Sequence, residues 1–139
     1  MSLDPVLLPV PRQMSLQDGE FKIGKGRLIV LDGGDVRALL FSARCLQERL
    51  SLSANVDWDI VAGTAVPQER IGAHLAVVPG AVKHPQGYRL TIASSGLSIV
   101  AASAAGIFYG VNSAMQLLDG YGAKLPAMRI DDWPDYAVR

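Results

Sequence analysis

A β-hairpin that runs straight into a helix, between Gly87 and Leu118, constrains this chain more than any other stretch. Tyr88-Arg89-Leu90-Thr91-Ile92 alternates apolar and polar side chains, and Leu97-Ser98-Ile99-Val100-Ala101 resumes the apolar pattern after the turn cluster Ser94-Ser95-Gly96. Period-two alternation on either side of a short Gly-containing turn marks a hairpin with one buried face. Ser103 stands where an N-cap belongs, and Ile107, Val111, Ala114, Met115 and Leu118 then recur at helical spacing until Gly120. A strand pair thus feeds a helix with almost no linker.

The other side of that helix carries no charge. From Ala104 to Leu118 there is no Asp, Glu, Lys or Arg, and the face away from the Ile107-Val111-Leu118 stripe is expected to hold Tyr109, Gly110, Asn112, Ser113 and Gln116. A water-facing helix normally places charges there. Two readings fit: the helix is buried on both sides within its own domain, or a neighbouring domain covers the uncharged face. The second makes Tyr109, Asn112, Ser113 and Gln116 candidate domain-interface residues.

The remaining elements fall in a simple order. Strands are expected near Leu7–Val10, Glu20–Ile23 and Arg27–Leu31. Asp35 caps a first helix whose stripe is Val36, Leu39, Leu40, Ala43, Leu46 and Leu50, with Arg37, Arg44, Gln47, Glu48 and Arg49 off it. Strands follow at Trp58–Val61 and His74–Val78 around a polar loop, and Met128–Ile130 makes the last. This grouping predicts an α+β fold: one mostly antiparallel or mixed β-sheet with two amphipathic helices packed on one face. Each fully buried stripe residue contributes about 1.5–3 kcal/mol, so loss of either helix should unfold the domain.

Composition narrows the partners. Half of the 139 residues are apolar, enough for one core in a single domain. Thirteen basic against thirteen acidic side chains leave no net field, so neither nucleic acid nor an anionic membrane is expected as a partner. No stretch reaches the ~20 apolar residues of a membrane span, and no signal-peptide series is visible. Cys45, the one cysteine, excludes an internal disulfide and reads as a small apolar core residue.

The run Gly-Tyr-Arg-Leu-Thr-Ile (87–92), the strand Leu-Ser-Ile-Val-Ala-Ala (97–102) and Ala-Gly-Ile-Phe-Tyr-Gly-Val-Asn-Ser-Ala-Met-Gln-Leu-Leu (105–118) resemble the non-catalytic N-terminal domain of family 20 glycoside hydrolases, the β-N-acetylhexosaminidases. Leu8-Pro9-Val10-Pro11 followed by Gly19-Glu20-Phe21 is similar to the start of that domain, and Asp-Trp-Pro-Asp-Tyr-Ala-Val-Arg (132–139) to its exit. The resemblance implies a flexible or appended start at 1–5, the α+β domain at 6–131, and an exit linker at 132–139 toward a catalytic TIM barrel. That barrel, in the same parent chain, is the implied partner. An uncovered interface is further expected to let the 139 residues self-associate. No cofactor is implied. The family suggests a secreted or periplasmic parent, while the sequence leaves the compartment unknown.

The family's mechanism lies in the barrel. A Glu protonates the glycosidic oxygen while an Asp orients the substrate's 2-acetamido group to attack the anomeric carbon, an exception to the two-carboxylate scheme. By position Arg139 matches an Arg that hydrogen-bonds hydroxyls of the terminal sugar, a task suited to a fixed set of guanidinium donors. No catalytic residue is expected among these 139, and no hydrolysis.

Other constellations read as structure. Gly33-Gly34-Asp35 is similar to the family's Gly-Gly-Asp-Glu run, but Val36 replaces the Glu and Asp35 is a helix cap. Asp131 and Asp132 are neighbours on an extended segment and point to opposite faces. His74 and His84 lack companion ligands at useful spacing, so no metal site is expected. Two alternatives stay open. One is a carbohydrate-binding module using Trp58, Tyr88, Tyr109 or Tyr121 as a platform; the other is the similar domain of family 84 N-acetylglucosaminidases or of α-glucuronidases.

Overall fold

The computed structural model describes residues 13–133 apart from Gly34, Gly63 and Thr64. The strand expected at Leu7–Val10 and the linker from Pro134 to Arg139 lie outside the described residues. Seven strands and two helices follow in order: β1 (Gln13–Lys22), β2 (Leu28–Asp32), α1 (Val36–Ala54), β3 (Asp59–Ala62), β4 (Ile71–Val77), β5 (Tyr88–Ala93), β6 (Gly96–Ala101), α2 (Ala104–Tyr121) and β7 (Lys124–Asp132). A 3₁₀ turn at Gln68–Arg70 fills part of the loop before β4.

All strands join one mixed sheet in the order β1-β7-β5-β6-β4-β2-β3. The hairpin β5–β6 turns on Ser94 and Ser95 with Ala93 opposite Gly96. It divides a parallel half, β6-β4-β2-β3, from an antiparallel half, β5-β7-β1. Helix α1 connects the parallel neighbours β2 and β3, whereas α2 carries the chain from β6 across β5 to β7. This is the α+β architecture expected from the sequence, with a larger parallel share than a hairpin-led reading suggests.

Register explains why the helices share one face. Leu31, Leu75, Ile99, Leu90 and Ile130 sit side by side across five strands, and Ile29, Ala73, Leu97, Ile92 and Met128 form the next row. These rows are buried and belong to one core cluster with Leu39, Leu46 and Leu50 of α1 and Ile107, Val111, Leu117 and Leu118 of α2. Burial of each large aliphatic side chain is worth about 1.5–3 kcal/mol, which fixes the register because a one-residue slip would expose a whole row.

The helix ends follow their expected chemistry at the N-termini. Asp35 accepts from Arg37 N–H at 3.0 Å, and Ser103 Oγ accepts from Gly106 N–H at 3.4 Å while donating to Pro85 O at 2.6 Å. The C-termini differ from the sequence reading. Helix α1 continues to Ala54 and closes on Asn55 at φ 57°, and α2 passes Gly120 to stop at Gly122, whose φ is 70°. Gly120 is an ordinary helical position, since a positive φ at Gly122 supplies the stop. Val36, expected in the α1 stripe, is exposed at its first turn, and β1 begins seven residues before Glu20. No helix among the described residues is long and apolar enough to cross a membrane.

Candidate functional site

The two helices form the outer layer, and beside the exposed charges Arg37, Arg44, Glu48 and Asp119 they show large apolar and aromatic side chains to solvent. Phe41 on α1 is 65 % exposed and Leu52 75 %, while Phe108 and Tyr109 on α2 are 41 and 40 % exposed. The rings touch one another: Phe41 and Phe108 stack at 6.2 Å between centroids, and Phe108 meets Tyr109 edge-on at 5.8 Å. Asn112 and Gln116 are half-buried on the same side of α2. One ion pair closes the far end, Arg49 Nη1 to Asp119 Oδ2 at 2.5 Å.

The helical phase places these residues. The inner face of α2 is Gly106, Ile107, Gly110, Val111, Ser113, Ala114, Leu117 and Leu118. It is wider than the stripe read from the sequence, and it corrects two expectations. Gly110 lies against the sheet, where an added Cβ would meet Ile99 Cγ2 at 2.5 Å and the Tyr88 ring at 3.2 Å. Ser113 is also inside: its hydroxyl shares a 2.6 Å buried hydrogen bond with Tyr88 OH. Ser113 is therefore no outer-face residue, because a hydroxyl with a buried partner on the adjacent strand is held inward.

Burial pushes the Tyr88 hydroxyl up to about 12; the Ser113 bond acts in the opposite direction and Asp132 adds to the rise. Tyr88 thus remains neutral and structural. Of the expected interface residues, Tyr109, Asn112 and Gln116 lie outward with Phe108, whereas Phe41 and Leu52 escaped the sequence reading. The signal for them was present: each is a large apolar side chain at the polar phase of an otherwise amphipathic helix.

The supposed sugar platform does not assemble. Trp58 is 1 % exposed, stands 6.3 Å from the Phe21 ring, and donates Nε1–H to Gly24 O at 2.8 Å. Tyr88 is buried, Tyr121 half-buried, and Tyr109 faces Phe108. Arg139 lies outside the described residues. His74 Nε2 sits 3.3 Å from Asp32 Oδ2 on the opposite sheet face, and the described residues hold no cluster of three or more metal-ligating side chains.

Asp131 and Asp132 do point to opposite faces. Asp131, opposite Arg89 in the β5–β7 register, accepts from Arg89 Nε at 3.0 Å and from Arg129 Nε at 2.8 Å. Partial burial alone would raise its pKa, but the hydrogen bonds and charges of Arg129 and Arg89 outweigh it and hold the carboxyl below the usual range. Through Arg89 the carboxylate braces β7 against β5.

Comparison with known proteins agrees with this geometry. Residues 4–133 match the family described as glycosyl hydrolase family 20, domain 2. Lacto-N-biosidase of Bifidobacterium bifidum is 29 % identical over 141 residues, covering 97 % of this chain and 12 % of that protein. Beta-hexosaminidase B of Pseudoalteromonas piscicida is 28 % identical over 134 residues, covering 96 % of this chain and 16 % of its own length. Among solved structures, the Streptomyces plicatus N-acetyl-beta-hexosaminidase complexed with Thio-NAglucal superimposes with a TM-score of 0.77 at 24 % identity, over 99 % of this chain and 29 % of that one. That last likeness is one of fold. The chain spans a small part of each of these proteins.

Proposed function

The chain belongs to glycosyl hydrolase family 20 as its domain 2, and from that premise we propose that it is the non-catalytic N-terminal scaffold of a β-N-acetylhexosaminidase, docked on the enzyme's TIM barrel through the outer face of α1 and α2. The observation that carries the docking is the cluster of Phe41 on α1 with Phe108 and Tyr109 on α2, a helix whose only acid is Asp119 and which has no basic residue. Contiguous aromatic surface beside the uncharged Asn112 and Gln116 favours removal from water by a partner, and aromatic side chains are the usual anchors of such contacts. The acid–base work of the parent belongs to carboxylates of the barrel, which protonate the leaving oxygen and orient the acetamido group. Arg139, at the start of the barrel, would hydrogen-bond hydroxyls of the terminal sugar.

The test uses the full-length enzyme. Phe41→Lys and Phe108→Lys should each lower its thermal midpoint and its hydrolysis of an aryl N-acetylglucosaminide, while Ser15→Lys on the exposed edge strand β1 leaves both unchanged. Unaltered stability in both phenylalanine variants would refute the docking face. Turnover of the same substrate by the purified 139-residue chain would refute the non-catalytic reading. The same face should make the isolated chain self-associate in sedimentation experiments, less so after Phe41→Lys.

A further inference from the structure

The sheet face turned away from the helices ends, where β7 leaves the sheet, in a cleft of about 560 Å³. Its floor is the Arg89–Asp131–Arg129 array, and the β4–β5 loop raises a wall that includes Lys83 and His84. Gln13 and Trp133 stand at its ends. Such a volume suits a small molecule and exceeds what a bare ion fills.

The hydrogen-bonding inventory is one-sided. Each guanidinium gives Asp131 its Nε–H, and no described residue accepts from the Nη nitrogens of Arg89 or Arg129. Arg89 and Arg129 side chains remain 38 and 47 % exposed against 19 % for Asp131. The array therefore presents two oriented donor forks to solvent with its one carboxylate already used. Gln86 N–H donates to His84 Nδ1 at 3.1 Å, so the neutral ring carries its proton on Nε2 as a further donor. Lys83 adds a cation at the rim, and Asp132, opposite Tyr88 in the β5–β7 register, lines the same cleft as a second carboxylate, so Arg89, Arg129 and Lys83 outnumber the two acids by one.

We propose that this cleft binds an oxyanion, the carboxylate or sulfate group of an acidic saccharide. The anion would bridge the Nη donors of Arg89 and Arg129, fixed in place because Asp131 clamps both guanidinium groups from beneath. The rest of the saccharide would extend along the cleft toward Trp133 at its end. Because the cleft opens on the face opposite α1 and α2, a barrel seated on the helices leaves it accessible. The proposal adds a ligand site to the scaffold reading and stands or falls independently of it.

The experiment is titration of the 139-residue chain with glucuronate, glucose 6-sulfate, glucose and sodium sulfate at constant ionic strength, followed by amide NMR shifts. Glucuronate and glucose 6-sulfate should saturate shifts at the start of β5 and the end of β7, and glucose should not. Arg129→Gln should weaken binding roughly tenfold or more, with a lower thermal midpoint because Asp131 loses one of its two partners, and Lys83→Ala, distant from the Asp131 clamp, severalfold with an unchanged midpoint. Arg129→Lys should bind at an intermediate level, since it keeps the charge and loses the fork. Free sulfate binding as tightly as the acidic sugars would overturn the saccharide assignment and leave a bare oxyanion site. Absence of saturable binding, or binding indifferent to both Arg129→Gln and Lys83→Ala, would overturn the site altogether.

Discussion

Two glycines of α2 should respond to the same substitution with opposite signs. In a helix interior Gly→Ala normally stabilises by about 1 kcal/mol, through a smaller loss of backbone entropy. Gly120, exposed in the last turn, has nothing within 4 Å of an added Cβ. Gly120→Ala should therefore gain about 0.5–1 kcal/mol. Gly106 is buried in the first turn, where an added Cβ would run into the backbone carbonyl oxygen of Gly87 and lie 2.7 Å from Ala101 Cβ. Neither obstacle is the flexible end of a side chain, so α2 would have to lift from the start of β5. Overpacking of this kind costs about 1–3 kcal/mol before the propensity gain is subtracted and more when backbone must move, which leaves a net loss of roughly 1–2 kcal/mol. At roughly 3–4 °C per kcal/mol for a chain of this size, Gly106→Ala should lower the thermal midpoint by about 3–8 °C and Gly120→Ala raise it by about 2–4 °C. Urea unfolding with a shared m-value is the assay. A Gly106→Ala variant as stable as the parent would refute the close approach of α2 to Gly87 on which the packing of this layer depends.

Three further outcomes follow from the buried and braced groups. Ser113→Ala leaves the Tyr88 hydroxyl buried without a partner and should cost about 1–3 kcal/mol, whereas Tyr88→Phe with Ser113→Ala should cost less than the sum of the two single changes; strict additivity in denaturant unfolding would deny the bond. Because burial raises the Tyr88 pKa from 10.0 to about 12, its stabilising contribution is complete below pH 10 and drains away as pH rises through the folded value; Tyr88→Phe should flatten that alkaline limb of the stability–pH curve, and an unchanged limb would contradict the assignment. Asp131 has the opposite sign: its folded pKa is depressed, so its contribution holds above the unfolded value of 3.8 and is lost as pH falls through the folded one. Asp131→Asn should lower stability more at pH 7 than at pH 3, flattening the acid limb, read by chemical denaturation at the two pH values.

Most of the fold was legible because it rests on short-range periodicity. The hairpin, both N-caps and the inner rows of β5 and β6 need only alternation, a turn and a hydroxyl or carboxylate before a helical run. What escaped depends on phase and on distant neighbours. Ser113 and Gly110 look polar or neutral in the sequence, yet Tyr88 on β5 supplies the hydroxyl and the ring that draw both inward. Phe41 lies at a charged phase of α1 and was passed over because its stacking partner, Phe108, is sixty-seven positions away. The sequence places Arg129 two residues before Asp131 on one strand, but the second partner, Arg89, is apparent only once β5 and β7 are neighbours, a pairing that the crossover through α2 creates.

The two sides of this sheet are built for different work, and the amino-acid types say why. On the helix side α2 exposes rings and amides around Phe108 and Tyr109, which lose little on desolvation and gain much from contact with another surface, while the exposed charges Arg37, Arg44 and Glu48 stand on α1. On the other side Arg89 and Arg129 each commit one nitrogen to Asp131 and leave the rest in water, where charged groups are inexpensive to keep exposed and costly to bury against an apolar partner. On the proposed reading a catalytic barrel would seat on the helical layer and leave the sheet face to an acceptor-rich ligand. Exchanging the characters of the two faces would invert that preference, so a Phe41→Lys, Phe108→Lys double variant should weaken barrel docking while leaving glucuronate titration of the Arg89–Arg129 cleft intact; loss of both together would mean that the faces are coupled through the core and that neither assignment can stand alone.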